Sequence, residues 1–142
     1  MVYRIFVDSD IILDVLLKRE EFYRDSYAIF NLCDQGKIIL YTSSSIILNV
    51  QYIGTKLSTI KKTKETILDL VENFIEIINP TKQTILKSYK SDFLDLEDAV
   101  QYYTAVDSGI IDYIITRNLR DYKKTGKEIP VITASQLLNQ LK

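Results

Sequence analysis

The stretch VYRIFV, residues 2–7, is short, β-branched and aromatic, and apolar on both faces. A strand with no side to give to water is expected at the centre of a parallel sheet. Similar runs recur as KIILYTS, FIEIINP, DYIIT and IPVIT. Helical periodicity fills most of the spaces between them. A helix is expected from about Ser9 to Lys18, with Ile12, Leu13, Leu16 and Leu17 as its apolar stripe. A second is expected from about Glu21 to Gln35, burying Phe22, Tyr27, Phe30 and Leu32, with Gly36 as its stop. Ser43 to Ser45 supply N-cap chemistry for IILNVQYIGTKL. STIKKTKETILDLVENF, TKQTILKSYK, LEDAVQYYTAVDSG and ASQLLNQLK complete the helices.

The order β-α-α-β-α-α-β-α-α-β-β-α predicts an α/β fold, a parallel sheet with right-handed crossovers. The 142 residues are 46% hydrophobic and 26% charged, which suits one domain, residues 1–142, with a buried core. No internal repeat, low-complexity stretch or interdomain linker interrupts it.

Composition narrows the chemistry. The chain has no histidine, which removes Ser-His and Cys-His nucleophilic machinery and His-rich zinc sites. Cys33 is alone, so no intrachain disulfide forms and it reads as a small core residue. No signal-peptide pattern succeeds Met1, and no apolar stretch approaches about 20 residues, so a soluble cytoplasmic protein without a membrane span is expected. The formal net charge of −1 offers no global basic field. Catalysis would rest on carboxylates, hydroxyls and a hard metal ion.

Ligands of such sheets sit beyond the carboxyl ends of the strands. That rule places DSD, TSSS, NPT and TRNLRD on one rim. Asp8 ends the first strand and begins a helix, so an N-cap explains one of Asp8, Ser9 and Asp10, but not two acids flanking a serine. Asp98 begins the helix of LEDAVQYYTAVDSG, where acids meet the helix dipole favourably. Ala99, Val100, Tyr103, Ala105 and Val106 place it on or beside an inward face, while Glu97 points to solvent. Thr116, Asn118 and Asp121 are ordinary turn residues that share the rim with Asp8. Convergence of Asp8, Asp98 and Asp121 would raise their pKa values unless a cation neutralised them, and oxygen donors without histidine favour Mg²⁺ or Mn²⁺.

Arg117, Arg120, Lys123, Lys124 and Lys127 lie close together in sequence. A solvated charge run is the bland reading; beside a metal site it becomes a phosphate-backbone contact. Lys56, Lys61, Lys62 and Lys64 read as a solvated face. Tyr52, Tyr102 and Tyr103 lie at helical spacing and are expected to pack.

FVDSDIILDVLL, KIILYTSSSIILNVQYI and LEDAVQYYTAVDSGIIDYIITRNLRDYKK, in this order, resemble the PIN domain, the nuclease fold of VapC-like toxins of toxin–antitoxin pairs. The resemblance covers nearly the whole chain. It implies a three-layer sandwich around a mostly parallel five-stranded sheet, and an endoribonuclease dependent on Mg²⁺ or Mn²⁺. It makes Asp8 the first acid and metal ligand and Asp98 the third. The fourth falls at Asp121, with Asn118 as second choice. Asn49 stands where such proteins place a glutamate, and offers a carbonyl oxygen without charge; weakened activity is the consequence. Asp10 replaces the commoner asparagine. Thr116, Arg117, Arg120 and Lys123 would meet RNA. An antitoxin protein and a homodimer are implied with it.

Two other readings compete. DSDII partly matches the DxDx[TV] start of haloacid-dehalogenase-like phosphatases, and ILYTS resembles their second motif, but the late chain lacks their acid pair. A PIN fold impaired at Asn49 would instead be an RNA- or protein-binding module.

Overall fold

The computed structural model describes residues 1–122 and 128–141. Five strands form one sheet: β1 (Tyr3–Val7), β2 (Ile38–Thr42), β3 (Ile75–Ile77), β4 (Tyr113–Ile115) and β5 (Val131–Ile132). Their order is β3-β2-β1-β4-β5 and every pairing is parallel. The doubly apolar first strand therefore lies in the middle, and Ile5, Phe6 and Val7 are fully buried.

The helices among the described residues are α1 (Ser9–Leu16), α2 (Glu20–Asp34), α3 (Ser44–Leu57), α4 (Ile60–Asn73), α5 (Lys82–Tyr89), α6 (Leu96–Ser108) and α7 (Ala134–Gln140). A 3₁₀ turn, Leu119–Tyr122, succeeds β4. Helix α1 packs on α2 and α3, α3 on α4, and α2 on α7, whereas α5 packs on α6. Right-handed crossovers account for this division. The connections from β1 to β3 move one way along the sheet, and the α5–α6 connection returns over the other face to β4. The result is the α/β layering expected from the alternation of strands and helices.

Local chemistry sets the boundaries. Asp8, Ser43 and Asp95 cap α1, α3 and α6 with their side chains. Gly36 and Gly109 close helices at φ 75° and 71°, a left-handed conformation that suits glycine. Helix α1 stops at Leu16, short of Lys18, which itself adopts φ 50°.

The expected burial of α2 needs correction. Its buried positions are Ser26, Ile29 and Phe30, while Phe22 and Tyr27 are exposed. Phe22 instead lies under the Arg117 guanidinium, and Tyr27 stacks on Tyr23 at 5.4 Å. Tyr102 is fully buried among Phe93, Tyr103 and Tyr122, but Tyr52 is exposed with Lys56 Nζ 4.3 Å above its ring. Cys33 is half-buried and its thiol donates to the Phe74 carbonyl.

Candidate active site at the carboxyl rim of the sheet

Four segments, each leaving a strand, meet beyond the carboxyl ends of the sheet. Thr42 Oγ1 donates to the Val7 carbonyl at 2.9 Å, and Ser44 donates to Asn79 Oδ1 through both its backbone N–H and its hydroxyl. Thr116 Oγ1 lies 3.0 Å from Asp8 Oδ2 and 3.2 Å from Asp10 Oδ2, so its single proton serves one carboxylate at a time. The Arg117 N–H donates to Asp10 Oδ2 at 2.9 Å. These contacts tie the start of α1 to the turn after β4.

The opposite wall comes from α6. Gln101 receives Ser43 Oγ at 2.7 Å and donates to Ser45 Oγ at 2.9 Å, so α6 is held against the start of α3. Between the walls lies a cavity of about 550 Å³, bounded by Asp8, Asp10, Asn49, Asp98, Gln101 and Asn118 among others.

The electrostatics of this cavity are unbalanced. The Tyr122 hydroxyl reaches towards Asp8 Oδ2 at 3.4 Å and Asp98 Oδ1 at 3.5 Å, so the two carboxyls face each other across one phenol. Burial, then the charge of Asp10, pushes Asp8 up to about 6, against hydrogen bonds from Ser9, Thr116 and Tyr122. Burial, then the charges of Asp95 and Asp8, pushes Asp98 to about 7. Tyr122 itself is raised well above the ordinary phenol range by burial and by the same acids. Asp10 Oδ1 is buried and has no hydrogen-bond partner among the described residues. The described residues lining the cavity include acids and amides but no lysine or arginine, so among them no cationic side chain offsets its negative charge.

The structure places the residues expected from sequence unevenly. Asp8, Asp98, Asn49 and Asn118 line the cavity. Asp121 lies close enough to raise Asp98 further, but its carboxylate accepts from Asn118 Nδ2. Among the described residues, no group of three or more acids stands ready to hold one metal ion with the side chains in these positions. Thr116 is buried beneath the acids. Arg120 is exposed on the 3₁₀ turn. Lys123, like Lys124 and Lys127, lies outside the described residues.

Arg117 is turned away from the cavity. Its Nε and Nη2 donate to Asp14 Oδ2 and Oδ1 at 3.1 and 2.9 Å, and its guanidinium carbon lies 3.9 Å from the centre of the Phe22 ring. Asp14 is fully buried and also receives Ser26 Oγ, with Arg19 Nη1 at 3.7 Å. Burial raises its carboxyl, and Arg117 opposes that rise. Breaking a buried pair costs roughly 3–5 kcal/mol, against about 0–1 kcal/mol for an exposed ion pair. Those magnitudes keep Arg117 on Asp14 rather than at the rim.

Sequence reasoning missed Asp14, Gln101 and Tyr122, and read Ser43 only as an N-cap on the rim. Two signals were present: Asp14 interrupts the apolar run IILDVLL, and Gln101 lies three residues after Asp98, on the same helix face.

A model of the PIN domain family matches residues 4–120. The chain is 32% identical over 111 residues to Ribonuclease VapC1 of Aquifex aeolicus, covering 75% of this chain and 76% of the relative. Its fold superposes on VapBC2 of Rickettsia felis, solved with a promoter DNA fragment, with a TM-score of 0.67 at 14% identity, over 90% of this chain and 96% of that one. It also matches VapC20 of Mycobacterium tuberculosis, a toxin that cleaves the sarcin–ricin loop, with a TM-score of 0.62 at 11% identity, over 87% and 92% of the two chains. With the family match spanning most of the sequence and the acids at the carboxyl rim, the chain belongs to the PIN domain family.

Proposed function

We propose that the chain is a VapC-like endoribonuclease whose site is the Asp8–Asp98 cavity. The observation that carries this reading is the facing of these two carboxyls, raised to about 6 and 7, across the Tyr122 hydroxyl. Such a pair needs either protons or a cation to offset its charge. The 32% identity to a protein named a ribonuclease supports the same class.

The donors suit a hard divalent cation such as Mg²⁺ or Mn²⁺. They are oxygen atoms, no lysine or arginine among the described residues lines the cavity beside them, and one of them, Asp10 Oδ1, is buried without a partner among the described residues. Asp8 and Asp98 would hold the ion, and Asp121 would join them on turning from Asn118. There the cation would supply electrophilic stabilisation of charge developing on the phosphodiester.

The protein side of the mechanism is positional. Thr116 fixes the Asp8 carboxylate through its Oδ2, and the Ser9 N–H fixes Oδ1 at 2.7 Å. Asn49 and Asn118 present amide groups that hold phosphate oxygens or water in the cavity. Arg120, exposed on the 3₁₀ turn, would track the RNA backbone outside it.

The test is cleavage of RNA by the purified chain with Mn²⁺, with an EDTA control. Asp98→Asn is expected to abolish cleavage and leave the domain folded by circular dichroism. Equal cleavage by Asp98→Asn would remove the cavity from the mechanism. The same reading carries an antitoxin protein as partner and a homodimer as the assembled state, which co-purification and light scattering test.

A second reading rests on Asn49 and on the absence of an assembled group of three acids among the described residues. In it the chain is an impaired PIN module that binds RNA or protein without cutting. Calorimetric titration decides: micromolar Mn²⁺ binding lost in Asp8→Ala favours the nuclease, and no binding at millimolar Mn²⁺ favours the module.

A further inference from the structure

The turn after β4 is held at two heights along α1. Asp10 and Asp14 are four residues apart on that helix and so share a face. The backbone N–H of Arg117 is fixed on Asp10, and its guanidinium is fixed on Asp14 one helical turn below. Phe22 of α2 covers the guanidinium plane, and Ser26 of α2 shares Asp14 Oδ2. Arg117 therefore joins three elements: α1, α2 and the turn.

Directly after Arg117 the chain builds one side of the cavity. The N–H of Asn118 donates to Thr116 Oγ1 at 3.1 Å, and that hydroxyl also contacts Asp8 and Asp10. Four residues further on, the Tyr122 hydroxyl reaches Asp8 and Asp98. A shift of the turn against α1 would move Thr116, Asn118 and Tyr122 together. Within the turn itself these contacts are single hydrogen bonds, whereas Arg117 brings a two-point fork with planar geometry that lysine cannot reproduce.

We propose that Arg117 is a positioning residue: locked on the buried Asp14, it holds the β4 turn in the register that presents Thr116, Asn118 and Tyr122 to Asp8 and Asp98, and it does not touch the RNA. The clamp itself is read from geometry, and its effect on cleavage rests on the ribonuclease reading. Asp14 is fully buried and is not among the residues lining the acidic cavity, so a positioning role makes its variants resemble those of Arg117.

The experiment compares Asp14→Asn, Arg117→Gln and Arg117→Lys in the full chain. Cleavage of a fluorescein-labelled single-stranded RNA is measured with Mn²⁺ under single turnover. Affinity for the same RNA is measured by anisotropy in EDTA. Amide hydrogen exchange is monitored across residues 116–122 and across β1 and β2. In all three variants the cleavage rate is expected to fall roughly tenfold or more. RNA affinity and its salt dependence should stay within about twofold. Exchange should quicken roughly tenfold or more in the turn and not in the central strands.

Arg117→Gln weakening RNA binding and lowering the salt slope by about one, with Asp14→Asn leaving both intact, would make Arg117 a phosphate contact and overturn the proposal. Unaltered exchange in the turn would overturn it as well. Should Asp14→Asn not fold, Arg117→Lys, which keeps the charge and loses the fork, carries the same comparison. An unaltered chain that cleaves no RNA would defeat the ribonuclease reading, and the exchange measurement would still decide the clamp.

Discussion

Ser43 Oγ donates to Gln101 Oε1 at 2.7 Å and joins the carboxyl end of β2 to a helix from the opposite layer. Both residues are buried, and Ser43 also caps α3 through the N–H of Ile46. Replacing Gln101 by leucine would take one acceptor from the Ser43 hydroxyl and leave it Ser45 Oγ at 3.1 Å. A loss of about 0.5–1.5 kcal/mol is expected for such a hydrogen bond. A urea midpoint for Gln101→Leu equal to that of the parent chain would show that the bridge contributes nothing to stability.

The acid pair has a pH signature. Asp8 and Asp98 move from an ordinary 3.8 to about 6 and about 7 on folding. Between roughly pH 4 and 7 the folded chain then holds more protons than the unfolded chain, so stability falls as pH rises through that window. Each tenfold change in proton affinity is worth about 1.4 kcal/mol, and solvent screening at this half-open site reduces it. In EDTA a drop of about 1–2 kcal/mol from pH 5 to pH 8 is expected, and Asp98→Asn should flatten it. Thermal unfolding across pH gives the answer; a parent chain more stable at pH 8 than at pH 5 would contradict the assignment.

Asn49 lines the cavity beside the acids. Asn49→Glu adds a charged oxygen donor where the family resemblance places one. Ligand charge tunes the affinity of hard cations, so Mn²⁺ should bind about tenfold more tightly by calorimetry. No gain in affinity would put position 49 outside the reach of the ion.

Gly54 marks the contact between α3 and its neighbours. A Cβ there would come within 2.8 Å of Thr63 Cγ2 and 3.0 Å of Leu16 Cδ2. Helix propensity favours alanine by about 1 kcal/mol, but overpacking costs about 1–3 kcal/mol. Gly54→Ala is expected to lower the melting temperature by several degrees, and an increase would show that Thr63 and Leu16 can move aside.

Much of this architecture was open to reading in the chain. The two-sided apolarity of VYRIFV foretold a central strand, and β1 indeed has β2 and β4 on its flanks. Asp8 and Asn118 were placed on the rim because strand ends in a parallel sheet share it, Asp98 was read from the inward face of its helix, and Asn49 came from the family resemblance; all four line the cavity. Arg117 was placed with the RNA contacts because its neighbours in sequence are basic. Its actual partner, Asp14, is 103 residues away, and only the three-dimensional fold reveals that pairing. Phe22 and Tyr27 satisfied the helical spacing for burial, yet the first serves as a lid for a guanidinium and the second stacks on another tyrosine. Periodicity gives the face of a helix but not the identity of what covers it.

The central strand is made first and completed late. β1 exposes an edge until β4, more than a hundred residues later, pairs Ile5 with Tyr113. A nascent polypeptide that ends before Tyr113 leaves its most apolar backbone open on one side, an invitation to mispairing. It also lacks the turn that carries Thr116 and Tyr122. On the ribonuclease proposal, cutting must therefore wait until the chain has been made past Tyr122, and a product cut short before Tyr113 should be aggregation-prone and inactive on RNA.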